Sequence, residues 1–400
     1  MFALVDGNSF YAACETVFRP DLVDRPVVVL SNNDGCIVAA NTLAKSFGNI
    51  MYQPYFQLEK MLQQKGTAIF SSNYELYGDL SHRMHSLLGT FAQEQEIYSI
   101  DESFLDFSGM QHWDFTAYGH EIKRSVQKQL GLPVAVGMGA SKTLAKAANN
   151  RAKKMAEFNG VLSLSELSDS EQNKLLANMT VGDVWGVGRQ WSKRLNAMGV
   201  TSALDLKTMP MKKIRQQFNV IIERTVHELN GIPCQDLELI TPDKKEIVSS
   251  RAFSHNIKDY QSMKQAVARH VVRAAEKLRQ QQSVCKQIAI GINTNPFQMT
   301  APQYRNWGST SLIHPSNHTG HLVERGMHCL EKIWQEGFEY KKAFVMLSDI
   351  SKQSNVQHDL FAENPRYSNN TKADALMTVL DKINNRMGKG ACQVDTEGMD

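Results

Sequence analysis

The sequence has no long apolar run and no basic, apolar leader at its start. No stretch approaches the roughly 18 consecutive apolar residues of a membrane-spanning helix. The amino terminus, "MFALVDGNSF", carries an acid where a secretory signal has basic residues followed by an apolar run. Hydrophobic content of 42% and charged content of 21% exclude a disordered or collagen-like chain. We therefore expect no membrane contact and a cytoplasmic location.

The chain also lacks cysteine pairing patterns and a strong charge imbalance. Its six cysteines show no C-x-x-C spacing, so neither a zinc ribbon nor a redox pair is indicated. Net charge is only +3, but the basic residues are clustered. Residues 141–160 hold five Lys or Arg against one acid, and residues 244–286 hold ten against three. Two separate basic surfaces suit an extended polyanion, although ordinary solvated faces are the alternative.

A chain of 400 residues favours two to four domains. Short β-branched runs at 2–6, 25–31 and 134–139 predict strands, and patterns at 39–48 and 115–131 predict helices that end on glycine. Residues 1–164 therefore indicate an α+β domain with an antiparallel or mixed sheet.

The remaining chain changes character three times. Residues 165–230 lose strand signals and predict a small helical domain, and residues 231–243 contain two prolines and predict a linker. Residues 244–350 form a third unit, with a helix at 260–282 and strands at 285–295 and 341–350. The polar tail at 351–400 contains one further helix, expected at 371–386.

Two adjacent carboxylates, Asp101 and Glu102, interrupt the apolar run "IYSIDESFLDF". On a regular strand they point to opposite faces, so only a hairpin or bulge between "EIYSI" and "SFLDF" lets them converge. Asp6 ends the first strand and adds a third acid. A divalent cation offsets the cost of clustering such charges, and Mg²⁺ favours carboxylate ligands. The alternative is a surface turn, to which Asp and Glu are well suited.

The segment "VWGVGRQWSKRLNAMG" places Gly186 and Gly188 two residues apart ahead of a helix. Such a turn lets backbone amides approach a phosphate, as in the helix-hairpin-helix mode of holding a DNA backbone. A plain helix C-cap glycine explains this stretch equally well.

Six segments taken together resemble the Y-family DNA polymerases, and within them the UmuC branch. The resemblance spans roughly residues 1–390, and the segments occur in the family's order: "FALVDGNSFYAACETVFRPDL", "VVVLSNNDGCIVAAN", "FSSNYELYGDL", "YSIDESFLDF", "ASKTLAKAANNRAKK" and "VWGVGRQWSKRLNAMG". The resemblance implies an error-prone translesion DNA polymerase acting in the SOS response, with a right-hand fold. Palm would occupy 1–164 with fingers inserted at about 12–77, followed by a thumb at 165–230 and an α/β little finger at 244–350.

The same resemblance implies a role for each matching residue at the catalytic centre. Asp6, Asp101, Glu102 and the carbonyl of Gly7 would bind two Mg²⁺ ions. Tyr11 falls at the steric gate that excludes a ribose 2′-OH, with a core tyrosine as the alternative. The other residues expected to bind the deoxynucleotide are Phe10, Ile37, Val38, Thr42, Lys45 and Lys153. Thr42 departs from the family, which often has a phosphate-contacting tyrosine there.

The implied partners are primer-template DNA, a cleaved UmuD-type dimer, a RecA filament and the sliding clamp. DNA contacts are expected from Gly186, Gly188 and Arg189 in the thumb and from Arg251 in the little finger. The tail peptide "QHDLF" resembles a clamp-binding motif through Gln357, Leu360 and Phe361. The final "ACQVDTEGMD" holds three acids where the resemblance predicts a basic stretch.

Two other functions remain open at this stage. A nucleotide cyclase also pairs carboxylates on a palm-like sheet, but it needs neither a sugar gate nor DNA-binding domains. A non-catalytic DNA-binding subunit leaves the three acids unexplained. Asp106 has no counterpart among the implied ligands, and we expect it to be structural.

Overall fold

The computed structural model of the chain describes residues 1–110, 112–240, 242–355, 371–388 and 391–392. Backbone contacts divide the chain into two units between residues 241 and 242. This division falls inside the predicted linker at 231–243. Within the described residues, no helix combines the length and the apolar character needed to cross a lipid bilayer.

The first unit contains two sheets and eleven helices within its described residues. Its strands are β1 (Phe2–Gly7), β2 (Val27–Leu30), β3 (Ile37–Ala40), β4 (Ala68–Phe70), β5 (Gln95–Ile97), β6 (Glu102–Asp106), β7 (Val134–Gly139) and β8 (Val161–Ser163). Its helices are α1 (Phe10–Val17), α2 (Thr42–Lys45), α3 (Tyr55–Gln64), α4 (Tyr74–Leu88), α5 (Phe115–Leu130), α6 (Lys142–Lys154), α7 (Asp169–Ala177), α8 (Arg189–Ala197), α9 (Ala203–Lys207), α10 (Met211–Gln217) and α11 (Val220–Leu229).

The larger sheet has the order β5-β6-β1-β7-β8, with β1 antiparallel to both of its neighbours. Because strand side chains alternate, each face of β1 has its own helices. Ala3 and Val5 pack in the core formed with α1, α4 and α5. Leu4 packs instead with Phe104 of β6 and Ala145 of α6. This is the mixed α+β palm that the sequence predicts.

Helix α6 lies unusually close to the sheet because β7 carries glycines beneath it. A Cβ atom added at Gly137 would lie 2.1 Å from the backbone nitrogen of Asn149, and one at Gly139 would lie 2.6 Å from the Cβ of Leu144. The Asn149 side chain donates to the carbonyl oxygen of Ala135 at 2.9 Å. This close packing fixes the positions of the α6 lysines relative to the strand ends.

The second sheet, β3-β2-β4, lies within the segment expected to form the fingers and has its own small core. The predicted helix over 39–48 is wrong at its start, because Ala39 and Ala40 pair with β2 in an antiparallel ladder. The helix begins only after Asn41, whose side chain accepts a hydrogen bond from the amide of Ala44 at 3.0 Å. Helix α2 then ends at Lys45, well before the glycine stop.

Helices α7 to α11 form the predicted helical thumb, and their buried residues share a core with α6. The linker that follows has no helix or strand in its described residues, but it is packed against the palm. Leu237 contacts the cluster of Leu4 and Phe104. The amide of Glu238 donates to the Glu96 carboxylate at 2.8 Å, and the Lys142 ammonium donates to the carbonyl of Asp236 at 2.7 Å.

The second unit contains a four-stranded antiparallel sheet in the order β11-β10-β12-β9. Its elements are β9 (Ile247–Ile257), α12 (Tyr260–Gln280), β10 (Ser283–Thr294), β11 (Arg305–Ser316), α13 (Thr319–Ile333), β12 (Tyr340–Lys352) and α14 (Thr371–Met387). The predicted face of α12 is buried as expected, at Met263, Val267, Val271, Ala274 and Leu278. Sequence reasoning missed α13 and both edge strands, β9 and β11, because edge strands carry many exposed polar residues.

Helix α14 is attached to the rest of the second unit by an arginine. The Arg279 guanidinium donates to both oxygens of Asp381, each at 2.7 Å. The extent of α14, Thr371–Met387, agrees with the helix predicted at 371–386.

Candidate active site

Asp6 and Glu102 face each other across two neighbouring strands of the palm. They are paired residues in the antiparallel ladder of β1 and β6, on the same sheet face as Leu4 and Phe104. The expected hairpin is present, with β5 antiparallel to β6. Helix α6 supplies one lysine to each carboxylate. Lys153 forms an ion pair with Asp6, and Lys146 donates to the two oxygens of Glu102 at 3.0 and 3.2 Å.

The pKa of Asp6 is raised from 3.8 to about 6, chiefly by burial and to a smaller extent by the neighbouring Glu102 carboxylate, while Lys153 opposes both effects. Close negative charges in a partly dry site need a proton or a cation to share. The donor chemistry of this pair therefore fits a hard divalent cation.

Asp101 lies just before β6 and is held differently from its neighbour. Its carbonyl accepts the Gly7 amide at 2.8 Å, and its carboxylate accepts the Ser99 hydroxyl at 2.7 Å. Its charge contributes to the raised pKa of Tyr11, after burial and Tyr74. In the part of the chain that the structure describes, no three His, Cys, Asp or Glu side chains are close enough to share one ion. The hairpin thus aligns Glu102 with Asp6, whereas Asp101 is directed to Ser99.

Gly7 and Asp106 occupy well-defined positions beside these acids. A Cβ at Gly7 would lie 3.0 Å from Cδ2 of Phe10 and 3.5 Å from Cβ of Asp101, so the strand end passes close to both. Asp106 accepts the amide and hydroxyl of Ser108 at 2.8 and 2.6 Å, which is the structural contact expected of it.

Lys45 and Lys153 lie near the same carboxylate from different elements. The Lys45 ammonium donates to the Ser9 hydroxyl at 2.8 Å. Burial lowers the pKa of Lys45, and the nearby positive charge of Lys153 lowers it further. Thr42 is exposed at the start of α2. Two ammonium groups that repel each other in this way form a favourable site for a polyanion.

The ring of Tyr11 is half-buried and fixed by other tyrosines. It stacks on Tyr77 with ring centroids 4.6 Å apart and an interplanar angle of 17°, and it meets the edge of Tyr74 at 6.0 Å. Tyr77 is fully buried, and its hydroxyl donates to Glu15 at 2.6 Å. Sequence reasoning did not identify this supporting ring.

Three neighbouring residues that the sequence assigned to nucleotide binding have different environments. Phe10 is 3% exposed in the palm core, and Ile37 is fully buried in the fingers core. Val38 is half-buried and packs against the palm core. Only Val38 of these three presents a partly accessible side chain.

The thumb glycines occupy a turn that exposes a helix amino terminus. Gly186 has a φ of +88°, which favours glycine, and Gly188 is the N-cap residue of α8. Arg189 is the first residue of that helix and is exposed. A helix C-cap is therefore not the role of either glycine.

The remaining predicted residues lie elsewhere. Arg251 is exposed on β9, in the second unit. Gln357, Leu360 and Phe361 lie outside the described residues, so their expected role stays a prediction.

Sequence reasoning missed the surroundings of Lys146, which lies within 6 Å of the ring centres of Tyr98, Phe104 and Trp185. The lysine spacing within "SKTLAKAANNRAKK" was the available signal, since Lys146 and Lys153 lie two helical turns apart on one face.

Comparison with known proteins identifies the family of the chain. The model of the impB/mucB/samB family matches residues 5–150, and the model of its C-terminal domain matches residues 244–360. The chain belongs to the impB/mucB/samB family. It is 46% identical to Protein UmuC of Salmonella typhimurium strain LT2 and 40% identical to Protein MucB of Escherichia coli, each alignment covering 100% of this chain and 94% of the relative.

The fold also matches that of a solved structure, a Y-family DNA polymerase chimera named Dbh-Dpo4(243-245)-Dbh. The TM-score is 0.69 at 18% identity, over 88% of this chain and 100% of the other. The predicted right-hand architecture is confirmed. The impB/mucB/samB protein described here is a UmuC-like, error-prone translesion DNA polymerase of the SOS mutagenesis type.

Proposed function

We propose that Asp6, Asp101 and Glu102, with the carbonyl of Gly7, hold two Mg²⁺ ions for transfer of a deoxynucleotide to a primer 3′-OH. The observation that carries this proposal is the Asp6–Glu102 pair, in which burial and, to a smaller extent, the neighbouring Glu102 carboxylate raise the pKa of Asp6 to about 6. For Asp101 to bind the same ion as Asp6 and Glu102, its carboxylate has to give up the hydrogen bond from Ser99 and bind the ion. When bound, such ions activate the attacking hydroxyl and stabilise charge on the phosphate.

Lys45 and Lys153 bind the triphosphate of the incoming deoxynucleotide. Both ammonium groups face the space beside Asp6, and the charge that develops on the leaving pyrophosphate is stabilised by such fixed cations. Thr42, exposed at the start of α2, adds a hydroxyl near the same subsite.

Tyr11 excludes ribonucleotides by contact with the 2′-OH, and its ring is held for this purpose by Tyr77. Val38 lines the space over the nascent base pair. Phe10 and Ile37 act indirectly from their core positions by supporting Tyr11 and Val38. A roof of small residues accepts a distorted template base, which is the physical route to lesion bypass and low fidelity.

DNA is held mainly through its phosphates. The exposed amides at the start of α8, with Gly186, Gly188 and Arg189, bind the backbone from the thumb, and Arg251 binds it from the little finger. Such binding is independent of sequence and weakens steeply with salt.

Three protein partners are proposed with the polymerase activity. They are a cleaved UmuD-type dimer, a RecA filament, and a sliding clamp that binds Gln357, Leu360 and Phe361. All of these interactions take place in the cytoplasm.

Primer extension with Mg²⁺ on a template that carries an abasic site tests this proposal. A cyclase would consume nucleotide without extending the primer, and a non-catalytic subunit would bind DNA without consuming nucleotide. Extension measured with and without the three partners also determines whether the chain acts alone.

A further inference from the structure

Lys146 is held between a carboxylate and three aromatic rings. Two of its hydrogen bonds go to the two oxygens of Glu102. Its ammonium lies 4.3 Å from the ring centre of Tyr98, 5.4 Å from that of Trp185 and 5.8 Å from that of Phe104. Its side chain is only 15% exposed. We call the three rings the aromatic cage of Lys146.

The aromatic cage is itself braced across the palm and thumb. The Trp185 indole nitrogen donates to the Tyr98 hydroxyl at 3.2 Å, and the two rings meet edge to face at 5.7 Å. Trp185 immediately precedes Gly186 in the thumb turn. One set of contacts therefore joins the proposed DNA-binding turn to Glu102.

Lys146 differs in this respect from the two lysines assigned to the triphosphate. Lys153 is 30% exposed, and Lys45 contacts only a hydroxyl among its described hydrogen-bond partners. The cation–π contacts and the Glu102 carboxylate together restrict the Lys146 ammonium to one position. A lysine so enclosed is suited to orient a neighbour and poorly placed to follow a phosphate.

We propose that Lys146 is a positioning residue for Glu102, and that Tyr98 and Trp185 couple DNA held at the thumb turn to the orientation of that carboxylate. The inference rests on the proposed role of Glu102 as a metal-binding carboxylate. It deepens that role by identifying the side chains that set the orientation of Glu102.

The first test is single-turnover nucleotide addition by the full chain carrying Lys146→Met, which keeps an unbranched side chain of similar length and removes its charge. The maximal rate should fall about tenfold or more, which corresponds to about 1.4 kcal/mol of lost orientation. The primer-template Kd and the concentration of dNTP at half-maximal rate should stay within about twofold. Lys146→Arg should recover part of the lost rate, because it restores the charge over the rings.

Trp185→Leu tests the link to the thumb. It should lower the same maximal rate, and the double variant with Lys146→Met should lose no more than the stronger single variant, since both remove one connected interaction. Trp185→Phe keeps a ring beside Lys146 and should retain most of the rate. Lys123→Met is the matched control, because Lys123 lies on α5, which packs on the other side of the palm sheet, and contacts Asn159 there.

A second measurement does not depend on activity. In thermal unfolding with Mn²⁺ alone, the rise in Tm caused by the ion should be larger for Lys146→Met than for the unmodified chain, because the ammonium no longer competes for Glu102. An equal rise in both proteins would contradict the contact of Lys146 with Glu102 on which the positioning role depends.

Three results would overturn the inference. An unchanged maximal rate in Lys146→Met would show that the contact is structural only. If Lys146→Met instead binds primer-template DNA with a higher Kd and a shallower dependence on salt, Lys146 binds phosphate. Additive losses of maximal rate in the double variant would show that Trp185 and Lys146 act independently. Glu102→Gln separates the two proposals: if it keeps full activity, the role of Glu102 fails, whereas its inactivity beside an active Lys146→Met rejects only the positioning role.

Discussion

Asp6 stands opposite Glu102 in the ladder of β1 and β6, and each carboxylate is paired with a lysine from the same face of α6. In the absence of ions, the two ammonium groups supply the positive charge that the acids require. The close approach of α6 to Gly137 and Gly139 fixes this arrangement. Before substrate binds, the charges of Asp6 and Glu102 are thus offset by those of Lys153 and Lys146.

Asp6 should make the stability of the ion-free protein depend on pH. Its pKa is raised from 3.8 to about 6, so between these values the folded state binds more protons than the unfolded state. The free energy of unfolding contributed by Asp6 therefore falls as the pH rises from about 4 to about 6. Denaturant unfolding of Asp6→Asn lacks this contribution. Its stability relative to the unmodified chain should rise across the same interval.

The test is how the difference in free energy of unfolding between Asp6→Asn and the unmodified chain changes with pH. Asp6→Asn also removes the ion pair with Lys153, but this adds a constant difference that does not depend on pH in this range. A difference that stays flat from pH 4 to pH 6 would contradict the raised pKa of Asp6.

Tyr11→Ala should weaken discrimination against ribonucleotides. Removal of the ring opens the space where a 2′-OH would collide, and we expect the ratio of ribo- to deoxynucleotide incorporation to rise about tenfold or more. The ratio is measured from kcat/KM for matched rNTP and dNTP. Tyr11→Phe keeps the ring stacked on Tyr77 and is the matched control, with a ratio close to that of the unmodified chain. An unchanged ratio in Tyr11→Ala would reject the gate.

Lys142→Met should destabilise the first unit. Lys142 and Glu96 form a buried ion pair with side-chain exposures of 3% and 7%, and Glu96 also accepts the amide of Glu238. Loss of one partner leaves a buried charge alone and should cost about 3–5 kcal/mol. Thermal and denaturant unfolding measure this cost. The double variant with Glu96→Gln should recover part of it, and a single variant as stable as the unmodified chain would argue against a buried pair.

Replacement of Leu360 and Phe361 by alanine should weaken binding to the sliding clamp. The pair is proposed to fill an apolar pocket, and loss of two such anchors should raise the Kd about tenfold or more. Surface plasmon resonance with immobilised clamp measures the effect. Extension of a short primer without clamp should be unchanged, because these residues belong to the predicted tail at 351–400, which follows the predicted little finger. Equal clamp affinity in both proteins would place the contact elsewhere.

The sequence was sufficient for the features that follow from local pattern. Alternating and β-branched runs identified the central strands β1, β7 and β10, and the spacing of Met263, Val267 and Val271 identified the buried face of α12. The acidic pair within an apolar run correctly indicated a hairpin between β5 and β6.

Features that depend on tertiary packing were not predictable in the same way. The linker looked unstructured, yet Leu237 is packed on the palm through contacts with residues more than 100 positions away. The cage of Lys146 joins Tyr98, which lies near the hairpin, to Trp185 in the thumb. No local sequence pattern predicts that Tyr98 and Trp185 contact each other. The orientation of Asp101 toward Ser99 was also missed, because it depends on a side-chain contact within the turn.

The central claim is that the three carboxylates form the metal-dependent centre for nucleotide addition, and Asp101→Asn tests it most directly. The change keeps the shape of the side chain and removes its charge. With Mg²⁺ and saturating dNTP on an abasic template, we expect single-turnover extension to fall at least about 100-fold, because metal coordination contributes several kcal/mol to the rate. The primer-template Kd and the thermal midpoint should be retained. Extension at the rate of the unmodified chain would contradict the assignment.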